Sequence, residues 1–196
     1  CALPIWAGQH QRYAYWKSAA SPSPDRVVPP CPWDRACGGC PWEHLRPEAA
    51  RRERQVLLQQ VLASEGIDVP VDPVVAGPDG EEGYRTSLKL VADNEGKLGV
   101  YGRHSHTVVA IAECRVVVPA LRPLLALPPF PVPGILRGLV ARASRSNGKV
   151  VATVVVHREH PAIEGWARRL PVDGVALNLQ DRKSTRLNSS HLVISY

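Results

Sequence analysis

The chain has 196 residues, with 24 Lys and Arg against 18 Asp and Glu, a formal net charge of +6. That excess permits a polyanionic partner without demanding one, and five cysteines are too few to staple a chain of this length as a disulfide mini-protein. No apolar run approaches the length of a membrane span and no signal peptide is visible, so no membrane partner is expected.

In chain order, the two ends are set aside first, because segments that do not come from the protein itself carry no folding information. "CALPI" at the start resembles the translated end of a sequencing-library adapter, and "DRKSTRLNSSHLVISY" at the end resembles the in-frame translation of its counterpart. Segments 1–6 and 181–196 are therefore expected to be adapter-derived, and the natural insert to be truncated at both ends. The chain contains no Met, which agrees with that expectation. Dropping Asp181, Arg182, Lys183 and Arg186 removes three basic residues and one acidic one, so the net charge falls from +6 to +4. Dropping Cys1 leaves Cys31, Cys37, Cys40 and Cys114. An insert of about 175 residues buries about two-thirds of its surface, which suits one compact domain with a flanking piece.

Within 7–30, "QRYAYWKSAA" predicts a short strand, and the Pro- and Ser-rich "SPSPDRVVPP" is a connector and first boundary. The region 31–180 begins with a cysteine loop. A helix is predicted over 47–65: Pro47 suits a first turn, Glu48 the positive end and Gly66 the stop. Ala50, Leu57, Leu58, Val61 and Leu62 recur at helical spacing, while Arg51, Arg52 and Arg54 read as a solvated face. From Tyr84 the period becomes two. Tyr84, Thr86, Leu88 and Leu90 point one way and Arg85, Ser87 and Lys89 the other, the pattern of a half-buried strand. "KLGVY" and "HTVVAIA" follow as strands. "GLVARASRS" and "KVVATVVVH" flank Asn147-Gly148, the favoured pair of a type I′ hairpin turn. "PAIEGWARRL" predicts a short helix and "VDGVALNLQ" a last strand. The fold class expected is α+β, an antiparallel sheet with flanking helices.

The cysteines are spaced Cys31-x5-Cys37-x2-Cys40, with Cys114 far downstream at a strand end. Three thiols on one short loop converge on a centre only if the backbone curls tightly, and Gly38 and Gly39 permit φ values and close approaches closed to other residues. A C-x2-C pair argues for a metal and a reducing, cytoplasmic compartment. Two centres fit the spacing: a structural zinc with four cysteine ligands, and a [4Fe–4S] cluster held by four thiolates. One knuckle with an extra and a remote cysteine lies nearer the three-plus-one pattern of clusters. "HREH", with His157 and His160, is a surface turn rather than a metal pair.

"PSPDRVVPPCPWDRACGGCPWEHL", followed by "GYRTSLKLVADNEGKLGVYGRHSHTVVAIAECRVVVPALRPLL", resembles the cluster-containing RNA (uracil-5-)-methyltransferases, which make 5-methyluridine in 23S ribosomal RNA. The resemblance runs from about Arg12 to Gln180. It implies that Cys31, Cys37, Cys40 and Cys114 bind a [4Fe–4S] cluster, and that "QRYAYWKSAA" is the last strand of an OB-like TRAM domain. In that family a cysteine thiolate adds to C6 of a flipped-out uridine, C5 takes the methyl of S-adenosylmethionine, and a carboxylate removes the C5 proton. Both catalytic groups lie in a C-terminal Rossmann-like domain that this chain does not reach. The expectation is therefore an inactive fragment with no catalytic residue of its own, S-adenosylmethionine being a cofactor of the full-length parent only.

What remains is the part that holds RNA. Arg85 and Lys89, with Arg103 and His106 in the next hairpin, are the candidate contacts to 23S rRNA. The expected molecule is a cytoplasmic monomer. The alternative is a non-enzymatic zinc-binding module for nucleic acid, whose cysteines only staple its fold.

Overall fold

The computed structural model describes residues 20–78 and 80–180, together with the backbone of short strands at 6–7, 12–13 and 192–195. β1 (Trp6–Ala7) and β2 (Arg12–Tyr13) pair as a small antiparallel ribbon. The rest of the strand predicted at 11–20 lies outside the described residues, apart from Ala20 in a bend. α1 runs Pro47–Ser64 with Pro in its first turn, as predicted. Seven further strands make one sheet: β3 (Ser87–Ala92), β4 (Leu98–Tyr101), β5 (Val108–Val109), β6 (Leu136–Ala143), β7 (Val150–Val156), β8 (Gly174–Leu179) and β9 (Leu192–Ser195). Their spatial order is β5-β4-β3-β6-β7-β8-β9. A 3₁₀ segment, Pro119–Ala126, and α2 (Ala162–Ala167) complete the described elements.

The sheet is mixed, which corrects the antiparallel expectation. β7 and β8 run parallel, in register from Val151 opposite Gly174 to Val156 opposite Leu179. A parallel pair needs a crossover, usually helical, and α2 supplies it. The predicted helix between two predicted strands already carried that consequence. The strand predicted over "HTVVAIA" shrinks to Val108–Val109.

One face of the sheet builds the core. Leu88 and Leu90 of β3, Leu139 and Ala141 of β6, and Ala152 and Val154 of β7 are buried. The 3₁₀ residues Leu121 and Leu124 are fully covered, and Phe130 meets Trp166 of α2 edge to face at 5.5 Å between centroids. The β6–β7 hairpin forms as predicted, but not through a type I′ turn. Gly148 has φ +70° while Asn147 does not enter the positive region. The loop instead closes more widely, through Ser144 N–H to Lys149 O (2.8 Å) and Gly148 N–H to Ser144 O (3.0 Å).

α1 departs from expectation in what it buries. Only Ala49 and Ala50 are buried, whereas Leu57, Leu58 and Val61 are 50%, 47% and 50% exposed. The helix is held by polar contacts instead. Arg52 reaches Asp25 (2.8 Å) and Arg51 reaches Glu81 (2.5 Å). Gln55 donates to Val71 O (2.7 Å), and Gln59 both donates to Val69 O (3.0 Å) and accepts from Val71 N–H (2.9 Å). The arginines read as a solvated face thus include two that tie the helix to neighbouring loops.

Candidate thiol site and nucleic-acid interface

The cysteine loop is fastened at both ends. Upstream, Val27 N–H donates to His44 O (3.0 Å) and Arg46 N–H to Asp25 O (2.9 Å), which closes the loop's neck. Inside, Asp34 N–H bonds Cys31 O (3.2 Å) and Cys37 N–H bonds Trp33 O (2.7 Å), a tight turn between the first two thiols. Neither Gly38 nor Gly39 takes a positive φ. Their use is the absence of a side chain: a Cβ on Gly38 would stand 3.3 Å from Arg103 Cα, and one on Gly39 3.4 Å from Cys37 Sγ. That close approach lets the loop dock on the β4–β5 hairpin. Gly38 N–H donates to Tyr101 O (3.4 Å), Arg103 N–H donates to Ala36 O (3.1 Å), and Cys37 pairs with Gly102 in an isolated antiparallel bridge.

Cys114 arrives from the other side. Its neighbours are stitched to the approach to β3 by Gly83 N–H to Arg115 O (2.9 Å), Arg85 N–H to Val116 O (2.7 Å) and Val118 N–H to Arg85 O (3.0 Å). All four cysteines are free, half-buried thiols, and all four line one cavity, together with Trp33, Asp34 and Glu43. Among the described residues no group of three or more His, Cys, Asp and Glu has the geometry to hold a metal ion. What the fold brings together is four sulfurs around one space.

The electrostatics favour the protonated form of two of the thiols, Cys40 and Cys31. Burial, then the Glu43 carboxylate, then Cys114 and Cys37 push the Cys40 thiol up to about 11, against a partial lowering by Arg85. Burial also raises Cys31, partly offset by a hydrogen bond from the Trp33 backbone, with smaller raising contributions from Glu43, Cys114 and Cys37. Glu43 is the site residue that the cysteine pattern did not reveal. Its Oε2 is buried and has no hydrogen-bond partner, the one such side-chain atom among the described residues. No spacing signal in the sequence points to it, because its place in the site follows from burial.

The candidate RNA residues divide. Arg85, Ser87 and Lys89 are exposed while Leu88 and Leu90 are buried, so the predicted alternation holds from Arg85 to Leu90, but Tyr84, expected on the inward side, is 42% exposed ahead of the strand. The register adds Arg142, which sequence reasoning missed: it lies opposite Ser87 on β6 and is exposed. Knowing which strand neighbours β3 would have found it. Arg103 has work within the fold, donating to Asp34 O (3.1 Å) and pairing with the Asp34 carboxylate at 3.6 Å. His106 is exposed and stands edge-on to Tyr101, with centroids 5.3 Å apart. His160 accepts from Ala162 N–H (3.1 Å) at the start of α2, in keeping with a turn.

No family model matches the chain. Its fold is that of part of an RNA uracil-C5 methyltransferase. The crystal structure of Pyrococcus abyssi tRNA (uracil-54, C5)-methyltransferase in complex with S-adenosyl-L-homocysteine superposes with a TM-score of 0.66 and 19% identity, covering 96% of this chain and 46% of that one. Curated sequence homologues are likewise RNA methyltransferases, which bears out the resemblance read from the cysteine loop. An uncharacterized RNA methyltransferase of Parasynechococcus marenigrum is 32% identical over 91% of this chain and 44% of its own length. The 23S rRNA (uracil(1939)-C(5))-methyltransferase RlmD of Halomonas elongata is 35% identical over 63% of this chain and 28% of its own. The chain thus spans less than half the length of these relatives.

Proposed function

We propose that this chain is the RNA-holding, thiol-bearing part of an S-adenosylmethionine-dependent RNA (uracil-5-)-methyltransferase whose whole-protein substrate is 23S rRNA. The observation that carries the reading is the alignment with RNA methyltransferases across 91% of the chain. Methyl transfer is assigned to the whole protein, and the residues of this chain contribute binding. Lys89 and Arg142 offer cations on one exposed strand pair, Arg85 lies just ahead of β3, and Arg103 and His106 stand on the adjoining hairpin. Cations on such a face neutralise phosphates, and arginine also stacks on unpaired bases.

We further propose that Cys31, Cys37, Cys40 and Cys114 hold a [4Fe–4S] cluster. The donor chemistry fits: four free thiols and no histidine share one cavity, the soft sulfur set that clusters require. When bound, such a cluster supplies a covalent staple between the loop and the sheet. The protein's part is to bring Cys114 to the loop, through the bonds of Gly83 and Arg85, and to dock the loop on the β4–β5 hairpin.

Anaerobic purification followed by a visible spectrum and metal analysis tests the centre. Iron and sulfide with a broad visible absorption are expected, whereas a colourless protein holding one equivalent of zinc would sink the cluster assignment in favour of the zinc-module alternative. For the interface, Lys89→Glu combined with Arg142→Glu should weaken binding to single-stranded rRNA loops. Unchanged affinity at moderate salt would remove that face from the reading.

A further inference from the structure

The thiol cavity contains one charge that the donor set does not need. Besides the four cysteines, its lining holds the carboxylates of Asp34, Glu43 and Glu113. Asp34 is paired with Arg103 at 3.6 Å, and Glu113 is exposed, where water and salt screen it. Glu43 has neither relief. Its Oε2 is buried, and no donor among the described residues reaches it. A buried acceptor left unpaired is costly, so its presence calls for a reason beyond the fold.

The neighbouring cations do not cancel this charge. Arg115 lines the same cavity, but its guanidinium bonds Glu82. Arg85 acts on Cys40 from an exposed position. The Glu43 carboxylate acts on both Cys31 and Cys40, at the two ends of the cysteine loop, in the sense that opposes added negative charge. Gly39 N–H works the other way, donating to Cys37 Sγ at 3.4 Å.

We propose that Glu43 sets the electron affinity of the iron–sulfur centre, its carboxylate holding the four-thiolate site in the oxidised form. The assignment rests on the reading of the four thiols as cluster ligands, and it gives that centre one oxidation state, suited to a staple rather than an electron carrier. Reduction adds one electron and breaks no bond, so a full negative charge arrives beside a carboxylate oxygen that water does not reach. Like charges repel far more strongly there than in water. Net charge and solvent exposure are the levers by which a protein moves a cluster's potential.

The experiment loads the chain anaerobically with iron and sulfide, then reads iron content and visible spectrum. A chain that takes up zinc alone fails at this step and ends the cluster reading together with the role of Glu43. Dithionite next supplies the electron in a potentiometric titration, followed by bleaching and by electron paramagnetic resonance of the reduced centre. At equal solution potential, the ratio of reduced to oxidised centre in Glu43→Gln should exceed that of the wild type by at least about tenfold, or ~59 mV for one electron. Glu43→Asp keeps a carboxylate and should recover part of the shift. Glu113→Gln removes an exposed carboxylate and should move the ratio less than about twofold. A ratio unchanged or lowered in Glu43→Gln, or an equal shift in Glu113→Gln, overturns the assignment. Where Glu43→Gln takes up no cluster, Glu43→Met drops the charge at similar length and must show the same upward shift. Uptake by Glu43→Asp but by neither uncharged variant makes the carboxylate a requirement of assembly, and that too overturns it.

Discussion

The Cys40 thiol keeps its proton up to about 11, while the ordinary value of the unfolded chain is 9.0. The sign follows from linkage. Below pH 9 neither state ionises and the fold has its full stability; from pH 9 through 11 only the unfolded chain gains by ionising, and stability declines. The thermal midpoint of the reduced, metal-free chain is therefore expected to fall across that window, and Cys40→Ser to remove part of the fall. A midpoint that stays level from pH 9 to 11 in the wild type contradicts the burial argument. Because the ligand form of cysteine is the thiolate, metal uptake releases protons, and affinity should weaken as the solution is acidified. Cys40→Ser should also lose the metal, read as iron per chain. Arg103 belongs to the same scale: its bonds to Asp34 predict that Arg103→Ala loosens the cysteine loop, whereas Lys89→Ala leaves the fold unchanged. Thermal melts of the two variants separate a loop clamp from a surface cation.

Among the elements, α1 and the 3₁₀ segment reverse the ranking that their sequences suggest. The helix carries a regular apolar stripe, yet Leu57, Leu58 and Val61 stay about half exposed. The irregular "PALRPLLA", broken by Pro123, buries Leu121 and Leu124 completely. Leu121→Ala should accordingly cost about 2–5 kcal/mol, and Leu58→Ala well under that, by urea denaturation. Equal losses would place α1 in the core after all. The difference shows what periodicity conveys: it reports that a helix forms and which side is apolar, not whether another element comes to cover that side. β3, β6 and β7 were legible because alternation and a hairpin signal are local. The parallel pairing of β7 with β8 was not read, although the helix predicted between the two strands implied it. Arg142 and Glu43 were missed for a different reason: each owes its role to a neighbour distant in sequence or to burial, and neither is written in spacing.

At the level of the whole molecule, the four cysteines line one cavity because two separate stretches of backbone are sewn to the sheet on either side of it. The charge is mild, and Lys89 and Arg142 set two exposed cations where β3 meets β6. RNA affinity should thus fall with rising salt, and reversing Lys89 and Arg142 should reduce the slope of log K against log salt by about one for each phosphate no longer neutralised. A slope unchanged by both reversals assigns the phosphates to another face.

The bridge between Cys37 and Gly102 carries one more consequence. The amides of Gly38 and Arg103 donate across it, one in each direction, so the loop and the hairpin protect each other's protons from solvent. Deuterium exchange at these two positions is thereby a local gauge of whether the loop is seated. Filling the thiol site should slow both together, and emptying it should quicken both while the amides of β6 and β7 keep their pace.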